Sequence, residues 1–321
     1  MMTAPLPGSE GPVLRAEHDK PTARQGKKPR IKVDLKGLAR RISPSSSWDD
    51  LVLPEDRVNV LREIALHVRH GLQADGDRRS EVKRQRPRLT VGALFVGPTG
   101  TGRKLAAKVI ASDLQTDLYL VDLPVLLTGT QGDIAKGLRH LFVSAAQSQA
   151  VLVFDDAAVL CDTSDHADRQ RAGGGRAGRS SDEAQQLAGT GTGSVLELLL
   201  RNLQELGGVM ILVTESVRVI PGSFQRRLNF VLSFPFPDVA QREQIWRRVL
   251  PPRVPTSGLD LVRLARIELP GGHIRDIAQL AIHLASEQQE PVRMQHLRRA
   301  AESLYEKLGL AMSLGDFQYW L

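Results

Sequence analysis

A single cysteine, Cys161, is all the chain has. That rules out an internal disulfide framework and a cysteine zinc site. The eight histidines show no H-E-x-x-H or comparable ligand spacing, so they read as scattered, solvated side chains. No apolar run approaches the roughly 20 residues needed to cross a bilayer. Met1–Val13 lacks the apolar core of a secretory leader. The expectation is a cytoplasmic protein without a membrane partner. Aromatic residues make up only 4% of the chain, too few for a platform on which bases could stack. The net charge of +7 invites a nucleic-acid reading, but residues 1–47 hold ten Lys and Arg against four Asp and Glu, leaving the body almost neutral. A basic tail of this kind solvates itself or docks on an acidic partner more often than it reads bases. Nucleic acid is therefore not an expected partner.

What the chain does have is a normal apolar content of 41%, and room in 321 residues for one mid-sized and one small domain. Residues 1–47 are rich in Pro, Gly, Ser, Lys and Arg and read as a disordered tail, with a short helix weighed at Leu35–Ile42. Order begins near Trp48. After Pro54, Val60, Leu61, Ile64, Ala65 and Val68 recur at helical spacing, and Gly71 marks the expected end of that helix. The basic stretch Arg78–Arg88 reads as a solvated loop. From Leu89 short apolar strands alternate with amphipathic helices, the pattern of a parallel sheet covered on both faces. Strands are expected at Thr90–Val96, Leu118–Val121, Val151–Phe154, Val209–Val213 and Phe230–Phe234. Helices are expected at Lys104–Leu114, Ile134–Ser148 and Ser194–Leu206. Between them, 162–193 is too polar and glycine-rich to pack and reads as a mobile insertion.

After Pro237 the composition turns helical. Asp238 is a fitting N-cap for Val239–Leu250, and further helices suit Leu259–Arg266, Ile274–Ser286 and Arg293–Leu310. The division expected is thus an α/β domain over 48–237, a small helical domain over 238–312 and a tail over 313–321. The aromatic side chains Phe317, Tyr319 and Trp320 in that tail read as tucked against their own domain.

The stretch that organises the rest is Gly97-Pro98-Thr99-Gly100-Thr101-Gly102-Arg103-Lys104, between an apolar strand and a helix-forming run. That context suits a phosphate-binding loop of the form G-x-x-x-x-G-K-[ST]. Its glycines let backbone N–H groups converge on a phosphate at a helix N-terminus. The glycines are in place, but Arg103 stands at the lysine position and Lys104 at the Ser/Thr position. A second apolar strand ends in Asp155-Asp156, as a metal-coordinating Walker B strand does. A third ends in Thr214-Glu215, and Arg226-Arg227 precede the last strand.

These pieces in this order resemble the AAA+ ATPases over Trp48 to about Leu310. Within that superfamily three stretches are similar to the AAA ATPase encoded with extracellular contractile injection systems. They are Trp48-Asp49-Asp50-Leu51-Val52-Leu53-Pro54, Arg226-Arg227-Leu228 running into Phe234-Pro235-Phe236-Pro237, and Gly271-Gly272-x-Ile274-Arg275-x-Ile277-Ala278. The resemblance implies a P-loop five-stranded parallel sheet with a helical lid, ATP bound by Gly97–Lys104 and Arg275, and oligomeric rings acting on protein partners. It gives Asp155 the metal, Asp156 the attacking water, Glu215 the sensor position after the fourth strand, and Arg226 and Arg227 the role of arginine fingers.

Five positions depart from that pattern. Arg103 keeps the charge of the lysine it replaces but is larger and planar. Lys104 cannot ligate a cation and places like charge beside it, which weakens the case for Mg²⁺. Asp156 is one methylene shorter than the usual glutamate, Glu215 replaces an asparagine, and Thr130 stands where substrate-threading relatives carry an aromatic pore residue. Together these favour a pseudo-ATPase serving assembly or regulation of a complex, such as an injection system. An active ATPase with unorthodox ligands that remodels a protein complex is the alternative. A DNA-associated AAA+ protein is the third reading, which the near-neutral body does not support.

Overall fold

The structure, a computed structural model, describes residues 37–76, 90–160 and 192–309. Residues 1–36, the basic stretch Arg78–Arg88, Cys161, nearly all of the 162–193 insertion and the tail 313–321 lie outside the described residues.

The chain first forms strand β1, Ala39–Ile42. This corrects two expectations, since Ala39–Ile42 is neither helical nor part of a structureless tail. Four residues containing Arg40 and Arg41 carry no alternation that announces a strand. The conformation comes from antiparallel pairing with a later strand and from Arg41, whose Nη2 donates to Asp117 Oδ2 at 2.6 Å. A single 3-10 turn at Trp48–Asp50 leads to helix α1, Glu55–Gly76, which continues past Gly71. The α1 face bearing Leu61, Ile64, Ala65 and Val68 is buried, as its spacing requires. Trp48 Nε1 and Arg69 Nη2 both donate to Asp113, at 3.1 and 2.6 Å, tying this N-terminal segment to helix α2, Arg103–Asp113.

Five further strands complete one sheet: β2 Thr90–Val96, β3 Leu118–Val121, β4 Val151–Phe154, β5 Gly208–Thr214 and β6 Phe230–Ser233. The order is β1-β3-β4-β5-β2-β6, with all but β1 parallel. Alternation along β2 divides the core. Leu94 and Val96 join the cluster under α4, Gln131–Ser148, and α5, Thr192–Leu206, whereas Val91, Ala93 and Phe95 join the cluster under α1 and α2. A short helix α3, Leu123–Leu127, is started by Asp122, whose side chain accepts from the Val125 amide. A second short helix, α6, spans Gly222–Gln225. The strand order matters for the site. It sets the carboxyl ends of β4, β5 and β2 side by side, with Val96 opposite Thr214 and Phe154 opposite Leu212. In open parallel sheets ligands bind at those ends.

The remaining helices are α7 Val239–Val249, α8 Leu261–Arg266, α9 Gly271–Glu287 and α10 Met294–Leu308. They pack around the fully buried Trp246. Asp238 caps α7 through a reciprocal pair with Gln241. Two buried polar residues fix the bundle. His296 Nδ1 accepts the Arg293 amide at 3.0 Å, so the neutral ring carries its hydrogen on Nε2, which donates to Gln288. Arg242 donates to the carbonyls of Pro237 and Ala265, at 2.6 and 2.7 Å, clamping the linker to α8.

Replacing Arg242 with Leu strands both carbonyls, and buried acceptors left unpaired cost about 1–3 kcal/mol each. Arg242→Leu is expected to lower the urea midpoint clearly, while Arg247→Ala, which loses only an exposed i,i+4 pair, leaves it nearly unchanged. Equal shifts in the two variants would show that the clamp contributes nothing special.

Candidate functional site

Backbone shape comes first. At Gly97, just after β2, a Cβ would approach the Phe234 carbonyl oxygen to 2.3 Å, so no larger residue fits. Gly102, the N-cap of α2, has φ +100°, which suits glycine and lets the chain turn abruptly into the helix. Between them Thr101 folds its hydroxyl back onto the Pro98 carbonyl at 2.8 Å. The loop therefore has the compact form its sequence predicts.

The charged side chains follow from the strand order. Lys104, on the first turn of α2, reaches across to Asp155 at the end of β4, with Nζ 2.8 Å from Oδ2. Thr99 donates its hydroxyl to Glu215 Oε1, bridging the loop to the end of β5. Arg103 is nearly buried. Desolvation pulls its guanidinium below the ordinary value, and the carboxylates of Glu215, Asp155 and Asp156 offset part of that. Asp156 occupies a left-handed conformation with φ +53°. Asp adopts that region more readily than residues with longer side chains, which gives a local reason for aspartate at this turn.

One cavity of about 620 Å³ joins these groups, a size suited to a nucleotide-sized ligand. Thr99 to Lys104, Asp155, Asp156, Glu215 and Arg275 all line it. Gly97 and Pro98 shape the loop without lining the space, and Arg226 and Arg227 stand apart from it. Arg227 Nη1 instead meets both carboxylate oxygens of Glu197, at 2.9 and 2.8 Å. Thr130 caps α4, donating to Asp133 Oδ2 at 2.6 Å.

Three contributions were not anticipated as site residues. The backbone segment Asp50–Leu53 forms one wall, held from the helical domain by Arg248 donating to the Leu51 carbonyl at 2.7 Å. Lys108 also lines the cavity, and its position one turn after Lys104 on the same helix face was a usable signal. The third is the start of α9. The Gly272 amide donates to the Gly100 carbonyl at 2.8 Å, and a Cβ on Gly272 would meet Gly100 Cα at 2.9 Å. The helical domain thus touches the phosphate-loop backbone directly.

The model of the ATPase family associated with various cellular activities (AAA) matches residues 93–236. Over that stretch the chain is similar to the AAA-family ATPases. An uncharacterized AAA family ATPase of Sinorhizobium fredii is 28% identical over 203 residues, covering 63% of this chain and 54% of the relative. Protein CdcH of Halobacterium salinarum is 30% identical over 127 residues, 38% of this chain and 17% of its own. A putative 26S proteasome regulatory subunit homolog of Methanothermobacter thermautotrophicus is 27% identical over 216 residues, 64% of this chain and 53% of its own. The chain spans about half the length of these relatives or less. Among the described residues, no helix is long and apolar enough to cross a membrane.

The glycine cradle and cavity fit a nucleotide. They do not fit the usual Mg²⁺ arrangement, because the Lys104 ammonium already occupies Asp155 and no hydroxyl stands at its position.

The contact between Gly272 and Gly100 gives a direct check on the lid. Gly272→Ala is expected to push α9 off the loop and speed amide exchange in peptides spanning 97–104 and 268–276. Unchanged exchange in both would show that this contact does not hold the lid.

Proposed function

We propose that this AAA domain holds ATP or its product ADP as a structural ligand, hydrolyses ATP weakly or not at all, and serves assembly or regulation of a protein complex. The observation that carries this reading is the ion pair between Lys104 and Asp155. An exposed pair contributes at most about 1 kcal/mol to stability. Its weight is positional, since it sets a fixed monovalent cation where the family reading expects a divalent one. Asp156 brings a shortened carboxylate to the place of the water-orienting group, and displacement of such a group by about 1 Å can lower rates on the order of 10²-fold.

A contractile injection system is the complex we favour, on the three stretches at Trp48–Pro54, Arg226–Pro237 and Gly271–Ala278, with the protein working in the cytoplasm as a homomeric or mixed ring. Arg226 and Arg227 lie outside their own cavity. Side chains so placed can serve a nucleotide only across a subunit boundary. With Thr130 committed to a helix cap, a grip on threaded polypeptide lacks its aromatic.

Two measurements test the proposal. Phosphate release by purified protein is expected far below about 1 s⁻¹, the lower end of ordinary turnover. Combining Arg103→Lys, Lys104→Thr, Asp156→Glu and Glu215→Asn is expected to raise it. Turnover near 1 s⁻¹ in the unaltered protein would support an active remodelling ATPase instead.

Light scattering after size exclusion is expected to show oligomers, or pull-down to recover a relative that forms a mixed ring. Arg226→Ala with Arg227→Ala is expected to weaken that assembly. A strict monomer at tens of micromolar with nucleotide, and no partner recovered, would defeat the ring.

A further inference from the structure

The positive charge of the cavity is unevenly spent. Its lining carries Arg103, Lys104, Lys108 and Arg275 against Asp50, Asp155, Asp156 and Glu215. Arg103 and Lys104 stand at the loop end, where a lysine would meet the outermost phosphates of a bound nucleotide. Both stand among carboxylates there. Lys104 pairs with Asp155, and Arg103 lies among Glu215, Asp155 and Asp156. Three carboxylates thus outnumber two cations at that end.

The other two cations differ. Among the described residues neither Lys108 nor Arg275 makes a salt bridge, and Asp50 is occupied by the Ser47 amide at 2.7 Å. Lys108 is half-buried, and the charges that act on it are those of Arg275, Arg40 and Lys104, all of its own sign. Burial first, and these like charges after it, draw the ammonium below the ordinary lysine value. A half-buried cation among cations is stabilised by an incoming anion. One of these groups is on α2 of the core and the other on α9 of the lid, so an anion between them joins the two.

We propose that the cavity selects a nucleoside diphosphate over the triphosphate, with Lys108 and Arg275 holding the phosphate charge and the Glu215 end rejecting a third phosphate. This rests on the reading that the cavity holds a nucleotide. A terminal phosphate placed beside Arg103 would enter the field of three carboxylates, with Lys104 already paired to Asp155. The diphosphate leaves that end to Glu215, which keeps its hydrogen bond from Thr99.

Calorimetric titration of the full chain with ADP, ATP and AMP, in EDTA and again in excess Mg²⁺, is the test. In EDTA, ADP is expected to bind tighter than ATP by about tenfold or more, the order expected for one uncompensated charge contact in a partly solvated site. Glu215→Gln is expected to shrink that ratio severalfold. Lys108→Gln is expected to weaken ADP while leaving the melting temperature in place. ATP binding as tightly as ADP, in either buffer, overturns the selectivity. A ratio unchanged in Glu215→Gln overturns its assigned cause, and ADP affinity unchanged in Lys108→Gln removes Lys108 from the site. If the folded protein binds none of the three, the nucleotide reading itself falls, an outcome distinct from the others.

Discussion

Charge compensation between nearby strand ends is the constraint around which the α/β domain is arranged. Lys104 on α2 and Asp155 on β4 are brought within 2.8 Å because β5 alone separates β2 from β4 in the sheet. The same adjacency brings Glu215, after β5, against Thr99 and Arg103. In a sheet of different strand order these side chains would not meet. The departures from the P-loop pattern at 103, 104, 156 and 215 are therefore one coupled set. A lysine at 104 without Asp155 would be an unpaired cation at the loop. A carboxylate at 215 without Arg103 would face the phosphate space uncompensated.

The lid belongs to the same arrangement. Gly272 reaches the Gly100 carbonyl because it lacks a Cβ, and Arg248 donates to the Leu51 carbonyl. Arg242 fixes the linker on which the lid would swing. The helical domain therefore meets the core through one backbone hydrogen bond and one from the Arg248 side chain.

Much of this was legible because it depends on short-range pattern. The unbroken burial of β2, the cap at Asp238 and the glycine frame of the loop each follow from a few adjacent residues. All five predicted parallel strands formed, and the predicted helix boundaries held to within a few residues outside α1. What escaped depends on distant partners. β1 is a strand because β3 pairs with it and Asp117 receives Arg41, and nothing in Ala-Arg-Arg-Ile announces either. The wall at Asp50–Leu53 comes from residues far from the loop in sequence, which adjacent-residue pattern does not advertise. Lys108 was readable from its spacing to Lys104, yet a lysine on a helix face is solvated far more often than it is functional. Its surroundings in the fold, three like charges and a cavity, separate it from that background.

The position of Arg226 and Arg227 bears on how the two ends of the molecule could be connected. Both follow the short helix α6 and lead into β6, the strand beside β2, whose own end becomes the phosphate loop. β6 runs from these arginines towards Phe234, which packs on Phe95 with ring centroids 5.1 Å apart and whose carbonyl lies 2.3 Å from where a Cβ on Gly97 would fall. The loop glycine that admits no side chain thus lies just past the strand next to the one that Arg226 and Arg227 lead into. Under the ring proposal, communication between sites in this protein would run through β6, leaving the lid contact at Gly272 undisturbed.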